Sequence, residues 1–172
     1  NCLISLVGMS NIGKTQWSKE LTSIGFEHIC CDDIIEERMI KDHVLSNKVG
    51  LNGVAKWMGH PGQESYNLRQ TTYLNYENEG LIDSLDSIKS ELRNTVIDTT
   101  GSVIYLNNDT LKRLKNETLV VYIKADRDKE SSLIKSFQKN PKPVIWGSSF
   151  ESNVEEDFQT PVQKRDQQYS SI

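Results

Sequence analysis

Eight consecutive residues near the start of the chain have the spacing of a phosphate-binding loop. The pattern G-x-x-x-x-G-K-[ST] is matched at every fixed position by Gly8, Met9, Ser10, Asn11, Ile12, Gly13, Lys14 and Thr15. The glycines of such a loop let the backbone curl, so that consecutive N–H groups point inward around a phosphate. Lys14 then bridges the terminal phosphates and the Thr15 hydroxyl holds Mg²⁺. The loop therefore predicts ATP and Mg²⁺ as ligands, against the alternative of a glycine-rich turn with a solvated lysine.

Two carboxylates follow predicted strands and are candidates for chemistry beside this loop. Asp32 follows the second strand of the chain, and Asp98 ends the third. Ligands of open parallel sheets bind at the carboxyl ends of the strands, so both acids can face the bound phosphates. We expect Asp32 to orient or deprotonate an acceptor hydroxyl and Asp98 to support the metal or its water. A helix cap at Asp32 and a turn-forming acid at Asp98 remain the structural alternatives.

An alternation of strands and helices must position these residues. Apolar runs and helical periodicity predict strands over 2–7, 26–30, 95–98 and 118–123, and helices over 14–24, 32–41, 54–58, 63–89, 110–115, 127–139 and 162–169. This order predicts an α/β fold in which helices cover both faces of a parallel sheet. Leu81, Leu85, Ile88 and Leu92 recur at steps of four, three and four, which predicts one buried face of the long helix.

Composition and charge limit the class of protein further. The 172 residues carry a formal net charge of −4, which excludes a general polyanion binder, so no nucleic-acid partner is expected. No apolar stretch approaches the ~20 residues of a membrane span, and three cysteines fit a reducing cytoplasm. The histidines show no metal-ligand spacing with cysteines or acids: His28, His43 and His60. We expect one cytoplasmic domain over 1–172, monomeric or weakly dimeric, without a membrane partner.

The order of these features along the chain resembles that in the shikimate kinases. The segment 31–36, Cys-Asp-Asp-Ile-Ile-Glu, is similar to the acid-x-acid-x-x-Ile-Glu motif that follows the second strand in that family. Asp32 matches the second acid, which contacts the acceptor hydroxyls, and Cys30 takes the place of the first acid. The residues Thr99, Thr100 and Gly101 stand where the family has a three-glycine turn that contacts the acceptor.

The resemblance extends to three basic residues further along the chain. Arg69 is the candidate counterpart of the acceptor-binding arginine on the long helix of the family. The segment 142–147 is similar to the family's lid, with Lys142 in place of the lid arginine, which implies a lid over about 140–160. Lys142 would contact the nucleotide and close over the transferred group. Arg165 resembles the arginine that grips the acceptor carboxylate, and a solvated side chain is the alternative for each of these cations.

The resemblance implies a three-layer P-loop NTPase fold with a parallel sheet of order 2-3-1-4-5, truncated to four strands if the last is missing. It implies an ATP- and Mg²⁺-dependent kinase that phosphorylates a hydroxyl of a small anionic metabolite, with Lys14, Asp32 and Lys142 as catalytic residues. Two alternatives remain open. One is a non-catalytic nucleotide-binding module that signals to a partner protein, and the other is a nucleoside or nucleotide kinase with a base-stacking pocket.

Overall fold

Strands and helices alternate along the chain as the sequence predicts. The computed structural model describes residues 1–90, 92–124, 143, 145 and 165–172. Its elements are β1 (Leu3–Val7), α1 (Lys14–Ser23), β2 (Glu27–Cys30), α2 (Cys31–Lys41), α3 (Gly50–Met58), α4 (Tyr66–Ser90), β3 (Thr95–Asp98), a 3-10 turn (Val103–Tyr105), α5 (Asn108–Glu117), β4 (Leu119–Tyr122) and a helical segment over 165–169. The predicted helix 127–139, Lys142 and most of the predicted lid lie outside the described residues.

The four strands form a parallel sheet in the order β2-β3-β1-β4, which confirms the predicted order of the first four strands. Between β1 and β3, Leu3 lies opposite Thr95 and Leu6 lies opposite Asp98. Between β2 and β3, Cys30 also lies opposite Asp98. The carboxyl ends of β1, β2 and β3 therefore meet at one edge, where the sequence places its candidate acids.

Helices cover the sheet on both faces, which gives the three layers that the resemblance implies. Successive side chains of a strand point to opposite faces. On β3, Ile97 packs into a buried cluster with Leu81 and Leu85 of α4. The next residue, Asp98, accepts a hydrogen bond from Thr15 of α1. The phosphate loop and α1 thus lie on one face of β3, and α4 lies on the other.

A second buried cluster holds α2, α3 and α4 together beside the sheet. It includes Met39, Val54, Met58 and Tyr73, and Ile145 packs into the same cluster. Burying a side chain of this size contributes about 1.5–3 kcal/mol, so this cluster fixes the position of α4 against α2. Within the described residues, no helix is both long and apolar enough to cross a bilayer.

Three local expectations are corrected by the structure. Leu92 is 92% exposed, because α4 ends at Ser90 and the buried face stops with Ile88. Helix α2 begins at Cys31 with Cys30 as its N-cap residue, so Asp32 lies in the first turn and is not the cap. Helix α3 begins four residues earlier than predicted, at Gly50.

The early start of α3 has a cause that is distant in sequence. The buried carboxylate of Glu36, on α2, accepts hydrogen bonds from the backbone N–H groups of Val49 at 2.6 Å and Gly50 at 2.5 Å. The first N–H groups of a helix lack partners within the helix, and a carboxylate there is favoured by the helix dipole as well. Glu36 therefore ties the start of α3 to α2.

Candidate functional site

The loop between β1 and α1 has the backbone conformation that a phosphate site needs. Gly8 has a φ of +148°, and a Cβ at this position would lie 2.5 Å from the carbonyl oxygen of Ile123, so only glycine fits. Gly13 is the N-cap residue of α1, in a left-handed conformation with a φ of 105°. Because glycine has no side chain to cap the helix, the first N–H groups of α1 face the loop and can bind an anion.

Lys14 lies across this loop. Its ammonium group donates hydrogen bonds to the carbonyl oxygens of Gly8 and Met9, both at 2.9 Å. The side chain is buried, so its charge is held inside the curl of the backbone instead of in solvent. A bound phosphate would meet this ammonium group together with the N–H groups at the start of α1.

Thr15 and Asp98 form the oxygen-rich part of the site. The Thr15 hydroxyl donates a hydrogen bond of 2.7 Å to a carboxylate oxygen of Asp98, which is buried at the end of β3. Hydroxyl and carboxylate oxygens are the ligands that Mg²⁺ prefers, with phosphate oxygens and water completing its shell. This pair fits the predicted magnesium site.

A cavity of about 250 Å³ opens above the loop and the strand ends. Its wall brings together most of the residues that the sequence predicted for the site, namely Ser10, Asn11, Gly13, Lys14, Thr15, Asp32, Asp98, Thr99, Thr100 and Gly101. Tyr73 and Pro143 complete the wall. This volume is slightly below the roughly 300–1,000 Å³ that is usual for small-molecule sites.

The turn 99–101 packs directly onto the phosphate loop. A Cβ at Gly101 would lie 2.4 Å from the Ser10 hydroxyl oxygen and 2.9 Å from the Ser10 backbone nitrogen, so a larger residue would force the turn away from the loop. The Thr99 hydroxyl donates to the carbonyl oxygen of Leu6 at 2.7 Å and anchors the turn to β1. The turn therefore has a fixed position relative to the phosphate loop.

Glu77 lies directly behind this turn and was not among the predicted site residues. Its carboxylate is buried and accepts hydrogen bonds from the hydroxyls of Thr100 and, at 2.6 Å, Ser102. Burial raises the pKa of Glu77 to about 7, although both hydroxyl donors oppose the shift. A sequence signal existed, because Glu77 precedes Leu81 by four residues and so lies on the buried face of α4.

The two predicted acceptor-binding arginines lie elsewhere. Arg69 donates a hydrogen bond to the carbonyl oxygen of Trp57 at 2.6 Å and stacks over the Trp57 ring. Arg165 is buried and donates to the Tyr105 hydroxyl at 3.1 Å and to the carbonyl oxygen of Ile145. Neither arginine is among the described residues that line the cavity.

A cluster at the strand ends includes a histidine, although the histidines show no metal-ligand spacing along the sequence. The structure places potential ligand atoms of His28, Cys30 and Asp98 within 4.8 Å of one another. Spacing along the sequence did not indicate this group, because it forms across two paired strands. Burial raises the pKa of the Cys30 thiol to about 12, although a backbone hydrogen bond from Asp33 opposes the shift, and the carboxylates of Asp32, Asp33 and Asp98 add to it.

The strand order, the loop between β1 and α1, and the Thr15–Asp98 pair define an α/β protein of the P-loop class. The fold is that of the shikimate kinases. The chain is similar to shikimate kinase from Bacteroides thetaiotaomicron, with a TM-score of 0.64 and 18% identity over 98% of this chain and 82% of that one. Neither a protein-family model nor a curated protein matches the sequence.

Two further shikimate kinase structures have the same fold. The enzyme from Aquifex aeolicus gives a TM-score of 0.57 and 19% identity, covering 99% of this chain and 82% of that one. The enzyme from Acinetobacter baumannii, solved in complex with shikimate, gives 0.60 and 21%, covering 99% of this chain and 79% of that one. At these identities the likeness is one of fold, and the activity must be argued from the site.

Proposed function

We propose that this protein is an ATP-dependent kinase that transfers the γ-phosphoryl group to a hydroxyl of a small anionic metabolite. The observation that carries the proposal is a single cavity that brings Lys14 and Thr15 of the phosphate loop together with Asp32 and Asp98. Phosphoryl transfer depends on positioning and on charge stabilisation, and these are the groups that both requirements use.

Each residue has a separate role in this reaction. The N–H groups at the start of α1 and the Lys14 ammonium group hold the phosphates of ATP. Thr15 and Asp98 hold Mg²⁺, directly or through its water. Bound Mg²⁺ supplies the positive charge that neutralises the phosphate oxygens.

Asp32 acts on the acceptor in this proposal. Its carboxylate orients the acceptor hydroxyl and accepts the proton as the new oxygen–phosphorus bond forms and the bond between the γ-phosphorus and ADP breaks. The position of Asp32 in the first turn of α2, on the cavity wall, supports this role. The turn 99–101 and Tyr73 would contact the rest of the acceptor.

The acceptor class is proposed from a fold neighbour. The fold neighbour from Acinetobacter baumannii was solved with shikimate bound, and this supports a small anionic acceptor, whereas Lys14 is already assigned to the phosphates of ATP and Asp32 and Asp98 lie on the same wall. The Thr99 and Thr100 hydroxyls are already committed to Leu6 and Glu77, so they position the turn more than they bind a ligand. Another acceptor than shikimate is compatible with this altered turn.

One observation favours a second candidate function. Within the described part of the chain, Lys14 is the cation on the cavity wall, since Arg69 and Arg165 make their contacts elsewhere. A nucleotide-binding module without transfer activity needs the phosphate loop but no acceptor-binding cation. Such a module would bind ATP tightly and signal its state to a partner protein.

A screen of acceptors by ADP release separates the two functions. Purified protein with Mg²⁺ and ATP is given a panel of sugar acids, polyols, shikimate and nucleosides, and ADP is measured with and without each compound. The kinase proposal expects ADP release that depends on one acidic polyol or sugar acid. Tight ATP binding without stimulation by any acceptor would favour the module, and stimulation by nucleosides alone would favour a nucleoside kinase.

A further inference from the structure

His28, Cys30 and Asp98 bring three different ligand atoms together at the ends of β2 and β3. His28 and Cys30 are two residues apart on one strand, so their side chains point to the same face of the sheet. Asp98 lies opposite Cys30 in the parallel register. An imidazole nitrogen, a sulfur and a carboxylate oxygen therefore lie within 4.8 Å of one another.

The spacing of these atoms is close to that of a metal site. Ligands around a tetrahedral Zn²⁺ ion, at bond lengths of 2.0–2.3 Å, are about 3.5 Å apart. The His28 Nε2 atom and the nearest oxygen of Asp98 are already separated by 3.8 Å. A shift of the ligand atoms by about an ångström would close the remaining distance. Small changes of the side-chain χ angles provide such a shift without moving the strands.

A second observation points to a missing ligand at the same place. The Nε2 atom of His28 is buried, and it makes no hydrogen bond to any part of the chain that the structure describes. Its distance of 3.8 Å from Asp98 is too long for a hydrogen bond. Buried polar atoms are normally paired, so this nitrogen is explained if it has a partner that the described residues do not supply.

The chemistry of the three ligands selects the type of ion. Sulfur and imidazole nitrogen suit borderline and soft divalent ions, whereas Mg²⁺ prefers oxygen ligands alone. A thiolate from Cys30 and a carboxylate from Asp98 together balance the two positive charges of the ion, and His28 stays neutral. The thiol proton leaves to solvent when the metal binds.

We propose that His28, Cys30 and Asp98 form a binding site for Zn²⁺, separate from the oxygen site at Thr15 but sharing Asp98 with it. Three protein ligands leave a fourth position for water or a phosphate oxygen. Asp98 lines the cavity, which gives the ion a path to the site. The Asp98 oxygen nearest to His28 is the one that accepts the Thr15 hydroxyl, so the ion would take this oxygen from Thr15 or bind the other oxygen after the carboxylate turns.

Binding of Co²⁺, as a coloured substitute for Zn²⁺, tests the site without nucleotide and without any activity measurement. The full chain, free of any affinity tag, is titrated with Co²⁺ and then with Zn²⁺ in competition with a chromogenic chelator. We expect a sulfur-to-cobalt charge-transfer band in the wild-type protein. Cys30→Ser should abolish this band, and Cys30→Ser and His28→Gln should each weaken Zn²⁺ binding by about tenfold or more.

Matched controls use residues of the same type at exposed positions. Cys2 and His60 are exposed, so Cys2→Ser and His60→Gln should bind Co²⁺ and Zn²⁺ as the wild type does. Cys30→Asp serves as a second variant, because it keeps a short anionic ligand and lacks the sulfur. It should keep the fold, checked by circular dichroism, and lose the charge-transfer band.

Two results would overturn the proposed site. One is the absence of a charge-transfer band in the folded wild-type protein at saturating Co²⁺. The other is Zn²⁺ binding that is equally tight in the wild type, Cys30→Ser and His28→Gln. Because the readout is metal binding alone, either result leaves the kinase proposal untouched, and a failed acceptor screen leaves the metal site untouched.

Discussion

Among single residues, Glu77 combines deep burial with a direct contact to the turn that lines the cavity. The side chain is 2% exposed, and its pKa of about 7 is raised above the ordinary 4.5 because burial disfavours the charged form. The folded protein then binds the proton more tightly than the unfolded chain does. The stability that this proton contributes is present at low pH and is lost as the pH rises through 7.

The first prediction follows from this loss of stability with rising pH. Between pH 5 and pH 8 the wild type should lose up to about 3 kcal/mol of unfolding free energy that Glu77→Gln does not lose, since glutamine stays neutral. Urea denaturation at both pH values measures the difference. Glu64→Gln, at an exposed position, is the control and should follow the wild type. Equal pH dependence of wild type and Glu77→Gln would contradict the assignment of a shifted pKa to Glu77.

The second residue-scale prediction concerns the Thr15–Asp98 pair. If Thr15 holds Mg²⁺, Thr15→Ala should lower turnover by roughly 100-fold and raise the Mg²⁺ concentration that gives half-maximal rate. Thr15→Ser keeps the hydroxyl and should retain most of the activity. Rates measured over a Mg²⁺ series check this. An unchanged Mg²⁺ requirement in Thr15→Ala would place the metal elsewhere.

Site residues within or beside a motif can be predicted from the sequence, whereas contacts between residues that are distant in sequence cannot. The phosphate loop carries its own signal, and Asp98 follows from its position at a strand end. His28 and Cys30 could not be connected to Asp98 from spacing, because the group depends on the register between β2 and β3. The hydrogen bond from Arg69 to Trp57 could not be predicted for a similar reason, since it depends on how α3 packs against α4.

At the scale of elements, the contact between α2 and the start of α3 is stabilised by one carboxylate. Glu36→Gln should destabilise the protein by about 1–3 kcal/mol, because it replaces a charged acceptor of two backbone N–H groups. Glu37→Gln is the matched control, since Glu37 is exposed on the same helix. Urea denaturation measures both variants. Equal effects of the two substitutions would show that the Glu36 hydrogen bonds do not stabilise the start of α3.

Element type was predictable from periodicity, and element ends were not. The apolar runs that became β1 and β3 are short and bounded by polar residues, which is typical of buried parallel strands, whereas Leu119 and Val121 of β4 are exposed. The start of α3 could not be seen, because its partner Glu36 lies 13 and 14 residues before the N–H groups that it accepts. The exposed position of Leu92 shows that a periodic pattern can continue past the end of its helix.

At the scale of the whole molecule, parallel pairing gathers the chemistry at one edge. Strand β1 lies between β3 and β4. Asp98 ends β3, so it lies beside the loop that follows β1. The sheet order was predicted from a family resemblance and not from composition. Three shikimate kinase structures with TM-scores of 0.57–0.64 have this fold at 18–21% identity.

The central claim is that the phosphate loop serves phosphoryl transfer, and labelled phosphate tests it most directly. ATP labelled in the γ-phosphate is incubated with Mg²⁺ and the best acceptor from the screen, and label in the acceptor is measured for wild type, Lys14→Ala and Lys19→Ala. Lys19 is exposed on the same helix, so its variant controls for loss of a lysine. We predict labelled acceptor with wild type and Lys19→Ala, and at least about a 100-fold loss with folded Lys14→Ala. Full transfer by Lys14→Ala, or tight ATP binding by wild type with no labelled acceptor, would contradict the claim.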